Sequence, residues 1–438
     1  MLSTAHAQTP RVQGPFAGLF GGTSTATHSL DFRGSLFGAY QEVFLPPEEE
    51  EIAVLDPLFQ KTGKFAGAAG TLHYTYGRRG DHAFFNVSGY GSAADYSVRP
   101  ESPQYTAGVS AGTGLFGQIT PKVAYSAQAS ASYSPYLGYA PFPSSTLGLA
   151  DTVYLPPQFG SAATNASNVP VTVSAQITDQ FSKRTSVSAG GGWQTLLVFG
   201  DSALGAQGWN GFARLNHRPF RRLGFFVGYR WSEYRYGDSD EIGRSQGLDA
   251  GFDFGDALTV PLGRNTTASF SGAITGARST GTPSFYAATG SASIVRSMGR
   301  TWSSSAAYHR SLGFIDLFSQ PVLADSVTGS IVGLIAPRVS WNSNVGWTQG
   351  RIGHPTGDGT ETTAHLAATS ASSTLTFAVS RRIGLYAQYL YYRYELPSGP
   401  FTRFEVPTST ARQIASVGLS LWVPIFNNAN ARSRRDSR

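Results

Sequence analysis

The chain has 438 residues, no cysteine, 51 glycines and a net charge of +6, and aromatic side chains make up 13% of it. Charged residues amount to only 14%, against about 25% in ordinary soluble domains, although hydrophobic residues stay at 41%. The lack of cysteine excludes a disulfide scaffold, a cysteine-ligated metal and a thiol nucleophile.

The first residues have the form of the end of a signal peptide. Ala5-His6-Ala7 shows the small-x-small pattern of a signal-peptidase site. We therefore expect residues 1–7 to be a signal-peptide remnant and residues 8–27 to be a glycine-rich arm, which is too short for a plug domain. No run approaches the roughly 20 apolar residues of a transmembrane helix.

Residues 28–426 repeat one pattern, in which apolar or aromatic residues alternate with small polar ones. In 122–134, for example, Tyr125, Ala127 and Ala129 alternate with Ser126 and Gln128. Successive side chains of a strand point to opposite faces, so each such segment predicts a strand with one apolar and one polar face.

Short turns and longer polar segments punctuate these strands in alternation. The short turns are rich in glycine, proline and basic residues, and successive turns are mostly about 37 to 45 residues apart, which fits two membrane-length strands and a loop. Counting gives 18 strands, with 16 as the alternative. The turns are Gly77–Asp81, Thr120–Lys122, Ser182–Arg184, Arg218–Arg222, Pro261–Arg264, Met298–Arg300, Ala336–Arg338 and Arg381–Gly384.

The last strand carries a local signature. Its polar-x-Gly-x-x-apolar-x-apolar pattern comprises Ser416, Gly418, Leu421 and Val423, and Phe426 follows before a basic tail, 427–438. Together with the short turns at one end and long loops at the other, this resembles the bacterial outer-membrane β-barrel family, porin-like members included. The resemblance implies an all-β fold, a single antiparallel up-and-down transmembrane barrel over residues 28–426, and location in the outer membrane. It also implies contact with membrane lipid and lipopolysaccharide, and recognition of the last strand by the barrel-assembly machinery.

Two groups of aromatic residues are expected to form the interfacial girdles of such a barrel. One group lies near the short turns and the other near the long loops. The first comprises Phe220, Phe225, Trp302, Trp341 and Tyr386, and the second Tyr90, Tyr96, Tyr136, Trp209, Trp231, Tyr236, Tyr391 and Tyr394.

Charged and amide residues on the polar face of three consecutive strands are the candidate pore lining. Alternation places Asn210, Arg214, Arg230, Asp249 and Asp253 on this face. A tight turn would pair Asn210 with Arg230 and bring Asp249 near Arg230. Opposed basic and acidic walls would then orient polar solutes; the alternative is that Arg230 and Asp249 neutralise each other as a wall salt bridge.

The third long loop, 138–168, is a candidate constriction. It is the longest loop, and the resemblance to porins, which fold their third external loop into the barrel, invites the comparison. Its candidate residues are Phe142, Asp151, Tyr154 and Phe159. Such a constriction would be aromatic and polar rather than charged, which suits sugars better than ions; an external lid or a variable loop is the alternative.

Other chemistries have little support. The basic residues recur at the short turns instead of gathering on one helix or groove, so we expect a basic rim and no nucleic-acid partner. The G-x-G-x-x-G at Gly112–Gly117 and the G-x-S-x-G matches lie in strands, without the helix that these motifs require. The eight histidines show no metal-ligand spacing. We therefore expect no enzyme, no cofactor and no metal.

Passive passage of hydrophilic solutes is the function that the sequence favours. The alternatives are export of an extracellular polysaccharide, and a structural or adhesive barrel that does not conduct.

Overall fold

The structure is a computed structural model, and it describes most of the predicted strands. The described residues are 26–44, 62–78, 81–96, 104–135, 137–139, 162–164, 167–199, 205–220, 223–237, 242–253, 260–263, 265–279, 285–314, 320–352, 364–396 and 409–429. No helix long and apolar enough to cross a bilayer occurs in this part of the chain.

All regular elements of these residues are β-strands. In chain order they are β1 Ala26–Phe44, β2 Gly63–Arg78, β3 Asp81–Tyr96, β4 Gln104–Thr120, β5 Val123–Tyr133, β6 Leu137–Tyr139, β7 Ala162–Thr164, β8 Asn168–Ser182, β9 Thr185–Val198, β10 Ala206–Phe220, β11 Leu223–Tyr236, β12 Ile242–Asp253, β13 Val260–Gly263, β14 Thr266–Ser279, β15 Phe285–Met298, β16 Trp302–Gly313, β17 Val322–Ala336, β18 Val339–Ile352, β19 Ala364–Ala378, β20 Ile383–Glu395 and β21 Ser409–Ala429.

The strands form one closed antiparallel barrel. Each barrel strand pairs with its neighbours in the chain, and β21 returns to pair with β1 over its length, so the sheet has no free edge. Strands β12 and β13 both pair with β14 and together fill one position of the wall. The wall therefore has 18 strands, which confirms the predicted number over the alternative of 16. Strands β6 and β7 form a separate ribbon in the third long segment.

Strand ends differ slightly from the sequence boundaries. Strand β2 begins at Gly63, whereas the apolar alternation is regular only from about residue 67. Strand β21 continues past Phe426 to Ala429, because Asn427 and Asn428 still pair with β1. The first residues after Phe426 thus extend the closing strand.

The register divides the wall into two continuous faces. One face exposes large apolar side chains, among them Leu36, Val109, Val173, Leu215, Val227, Leu248, Ile274 and Val417. The other face carries mainly Ser, Thr, Gln, Asn and Tyr. Tyr234 of this polar face packs against Phe314, which follows β16, with ring centroids 6.1 Å apart. Because β11 and β16 are not neighbours in the wall, this contact crosses the barrel, and the polar face is the interior.

Candidate pore

One sector of the interior wall is polar and exposed to solvent. On β5 and β8, Gln128, Ser130, Thr172, Ser174 and Gln176 face inward and are exposed. Ser130 and Thr172 are cross-strand partners, and their hydroxyl oxygens lie 2.7 Å apart. All of these except Gln176 line a cavity of about 290 Å³ together with residues of β3 and β4. The sector is therefore a hydrated surface of hydroxyl and amide groups without fixed charge.

The sector of the wall from β17 through β21 to β2 has buried inner side chains, unlike the sector around β5 and β8. Its outer face is concave, and an apolar groove of about 1010 Å³ runs along it, lined by residues such as Trp341, Leu375 and Val417. The inward-facing side chains of the same strands are buried, including Leu390 and Ile414 at 1% exposure. The groove indicates that the wall bends inward here, and the inner side chains of this sector are packed together instead of being exposed to the lumen.

The predicted pore residue Arg214 lies on the inner face of β10. Its guanidinium carbon stands 3.8 Å from the centroid of the Phe226 ring, and its Nε donates a 2.8 Å hydrogen bond to Asn216 Oδ1. Cation–π packing and this hydrogen bond hold the side chain against the wall. Arg214 and Asn216 also line a cavity of about 480 Å³ near the short-turn end.

Asn210 and Arg230 share this inner face, but their predicted pairing is wrong. Asn210 lies opposite Ser232, and Arg230 lies opposite Phe212. The register differs by two residues because β10 and β11 continue to Phe220 and Leu223, with an irregularity between His217 and Phe220. A shift of two preserves the face of every side chain.

For the candidate pore residues Asp249 and Asp253, the structure gives the backbone position. In the β11–β12 register, Asp249 lies opposite Gly228 and Asp253 opposite Gly224, while Arg230 lies opposite Gly247. Asp249 is thus offset by two residues from the direct partner of Arg230. Their side chains are outside the described part of the molecule, so the two-walled charge arrangement stays a prediction.

The inner wall also carries a charged cluster around Asp31 that the sequence analysis does not predict. The Asp31 carboxylate is 1% exposed, and its Oδ2 accepts hydrogen bonds from Arg33 Nε at 3.0 Å and Trp422 Nε1 at 3.3 Å. His73 Nδ1, on the directly paired residue of β2, lies 3.7 Å from Asp31 Oδ1. Asp31 and Arg33 share the parity of Ser29 and Ser35, so alternation along β1 could have placed them inside.

The remaining residues predicted from the sequence fall into two groups. The constriction candidates Phe142, Asp151, Tyr154 and Phe159 lie outside the described residues. The assembly-signal candidates lie on β21, the strand that closes the barrel. Ser416 is buried on the inner face, whereas Leu421 and Val423 have the outward parity of Val417, and Phe426 is exposed. Recognition of this strand by assembly machinery remains a prediction.

Three aromatic residues expected in the girdles face the interior instead. Tyr386 and Tyr394 share the inner parity of Gln388 and are 4% and 1% exposed. Tyr90 has the inner parity of Ser88 and Ser92, as the β2–β3 register shows. Phe225, Trp209, Trp231, Trp302, Trp341 and Tyr391 do take the outward parity.

Comparisons with known proteins find similarity among solved structures only. The chain matches no model of a known protein family and no curated protein sequence. Among solved structures, it is similar to a variant of the ferric enterobactin receptor PfeA from Pseudomonas aeruginosa, with 8% identity over 94% of this chain and 84% of that chain and a TM-score of 0.43. It is also similar to OpdL from Pseudomonas aeruginosa, with 11% identity over 91% of this chain and 99% of that chain and a TM-score of 0.42. A third match is the ferric-catecholate import receptor Fiu from E. coli K12, with 10% identity over 90% and 81% of the two chains and a TM-score of 0.43.

Proposed function

We propose that this protein is an outer-membrane channel that lets hydrophilic solutes pass without energy coupling. The observation that carries the proposal is the contrast between the two faces of the closed wall. On β8, for example, Val173 and Ile177 are exposed outward, while Thr172, Ser174 and Gln176 are exposed inward.

Membrane placement follows from this contrast. Exposed aliphatic side chains around the outside fit hydrocarbon, and a closed sheet satisfies every backbone hydrogen bond without an edge. Barrels of 16 to 18 strands are wide enough to leave an aqueous interior. Small polar side chains on the inner wall keep that interior hydrated.

The hydrated sector suggests which solutes pass. Hydroxyl and amide groups can exchange hydrogen bonds with neutral polar solutes such as sugars. Arg214 and Arg230 stand on the inner face of the adjoining hairpin β10–β11 and favour anions over cations. We therefore infer passage of small neutral and anionic solutes along this side of the barrel, and assign no catalytic step to the chain.

Liposome swelling tests this function. The purified full chain is reconstituted into liposomes, which are then diluted into isosmotic solutions of sugars of increasing size. A channel of this kind makes swelling rates rise with protein content and fall steadily with sugar mass. Rates equal to those of empty liposomes for the smallest sugar would refute passive conduction.

A further inference from the structure

Two cavities on the inner wall adjoin each other at Phe84 and Asn86 of β3. One, of about 290 Å³, belongs to the polar sector around β5 and β8, and the other, of about 370 Å³, lies along β1 and β2. Phe84 and Asn86 line both cavities and are close to Asp81, where β3 begins after a short turn. Short turns are periplasmic in outer-membrane barrels, so the two cavities lie in the periplasmic half of the lumen.

Phe84 and Asn86 lie across two glycines of the neighbouring strand. Phe84 pairs directly with Gly114, and Asn86 pairs with Gly112. A β-carbon on Gly114 would overlap the Phe84 ring, and one on Gly112 would come within 2.8 Å of Asn86 Oδ1. The two glycines therefore leave the space in which both side chains lie against the wall.

The Phe84 ring forms an aromatic surface together with Phe116 of β4. The two rings are stacked, with centroids 5.9 Å apart and planes at 19°. Both residues have inward parity, because Gly114 pairs with Phe84 on one side and with the inward-facing Gln128 on the other. Both rings are partly exposed. A partly exposed aromatic surface in a polar wall favours a ligand that has an apolar face of its own.

Planar polar side chains stand beside this surface. Asn86 pairs with His73 of β2, and His73 pairs with Asp31 of β1, so the three residues form one inward row. Arg33, two residues further along β1, is 47% exposed and lines the same cavity as Asn86. The arginine donates hydrogen bonds, whereas the asparagine amide both donates and accepts them. The site can therefore bind several hydroxyl groups.

The charge balance favours a neutral ligand. Of the described residues that line the two cavities, Arg33 is the one with a fixed charge. Its Nε lies 3.0 Å from the buried carboxylate of Asp31, which compensates that charge. A pyranose ring has an apolar face of C–H groups and a rim of hydroxyl groups, and it carries no charge. It thus matches both the aromatic surface and the polar side chains.

We propose that the inner wall at Phe84, Asn86 and Arg33 is a binding site for a neutral oligosaccharide. One sugar ring lies on the Phe84 ring, and Asn86 and Arg33 form hydrogen bonds with its hydroxyl groups. The site rests on the proposed channel function, since the lumen is the route by which a solute reaches it. It adds a saturable binding step to passive passage.

Isothermal titration calorimetry tests the site on the purified full chain in a detergent that has no sugar headgroup. The ligands are maltotriose and cellotriose, with trigalacturonic acid and a polyethylene glycol of similar mass for comparison. Saturable binding of at least one neutral trisaccharide is expected. Phe84→Leu should weaken it about tenfold, because the flat ring is lost. Phe85→Leu is the matched control and should bind as the unaltered protein does, since Phe85 is the next residue and is 45% exposed on the outer face.

Four results would overturn the proposal. These are no saturable binding of either neutral trisaccharide, equal binding of the polyethylene glycol, tighter binding of the acidic trisaccharide, and unchanged affinity in Phe84→Leu. The comparison of ligands needs no variant and stays decisive if Phe84→Leu misfolds.

The site and the channel can fail separately, because binding in detergent requires no current. Current steps in a planar bilayer without saccharide binding would refute the site and leave the channel intact. Saccharide binding without current steps would support the site and refute passive conduction.

Discussion

Val173 and Ser174 are neighbours in sequence, but their side chains lie on opposite faces of the barrel wall. Val173 is 44% exposed on the outer face, and Ser174 is exposed on the inner one. We expect Val173→Arg to lower the free energy of unfolding by about 2 to 4 kcal/mol, since an arginine near the bilayer midplane loses its hydration. The matched variant Ser174→Arg should cost little. Urea unfolding in lipid vesicles measures both, and equal losses would show that the facing assignment is wrong.

Gly418 permits a close approach on β21. A side chain there would overlap the Leu36 carbonyl oxygen and the Tyr386 ring, whereas Gly38 on β1 has open space around it. We expect Gly418→Ala to lower stability by about 1 to 3 kcal/mol through overpacking, and Gly38→Ala to change it much less. The midpoints of urea unfolding give the comparison. If both alanines are tolerated equally, Gly418 has no packing role.

Alternation in the sequence predicted the facing of single residues well where it was applied consistently. Leu215, Val227 and Tyr229 are exposed outward, as expected for residues whose parity is opposite to that of Arg214 and Arg230. Distance to a strand end predicts girdle positions for Tyr386 and Tyr394, but their parity matches that of the inward-facing Gln388. Distance to a turn indicates how deep a residue lies in the membrane, whereas parity along the strand determines which face it occupies. Parity therefore decides whether an aromatic residue can belong to a girdle.

The hairpin β10–β11 shows what alternation cannot specify. A register shift of two residues leaves every face unchanged, so the hydrophobic pattern gives no penalty to the wrong pairing of Asn210 with Arg230. The irregularity between His217 and Phe220, beside Pro219, determines the true register. Turn geometry of this kind depends on backbone details that residue types alone do not give.

The same hairpin carries a prediction on ion selectivity. Arg230 is exposed on the inner face, opposite Phe212. We expect Arg230→Glu to shift the reversal potential in a salt gradient toward cation preference, because two units of charge change in the aqueous path. Arg296 is exposed on the outer face of β15, so Arg296→Glu changes the same charge outside the lumen and should leave the reversal potential in place. An identical potential for Arg230→Glu and the unaltered channel would remove Arg230 from the ion path.

Closure of the barrel joins the two ends of the described chain. Ser35 of β1 pairs directly with Ser420 of β21, and the natural chain has no cysteine. Directly opposed residues have Cβ atoms about 4.5 to 5.5 Å apart, close enough for a disulfide after small adjustments. We expect Ser35→Cys combined with Ser420→Cys to crosslink under oxidation, seen as a mobility change that reductant reverses. Ser35→Cys with Ser174→Cys is the control, and crosslinking in neither pair would contradict closure.

Composition and repeat spacing predict the architecture of the barrel more fully than its details. Low charge, many glycines and repeated alternation predicted a transmembrane barrel, and the spacing of the basic turns predicted its 18 strands. The inward bend from β17 to β2 was not predictable, because alternation specifies faces and carries no information on how far a wall lies from the barrel axis. Charge clusters that join separate strands, such as Asp31 with His73, also require the register.

Single-channel conductance of the purified full chain in a planar lipid bilayer tests passive conduction most directly. A hydrated sector along β5 and β8 predicts stable current steps whose size scales with salt concentration. Verified, correctly folded protein that inserts and yet gives no current steps at any salt concentration would contradict an open pore.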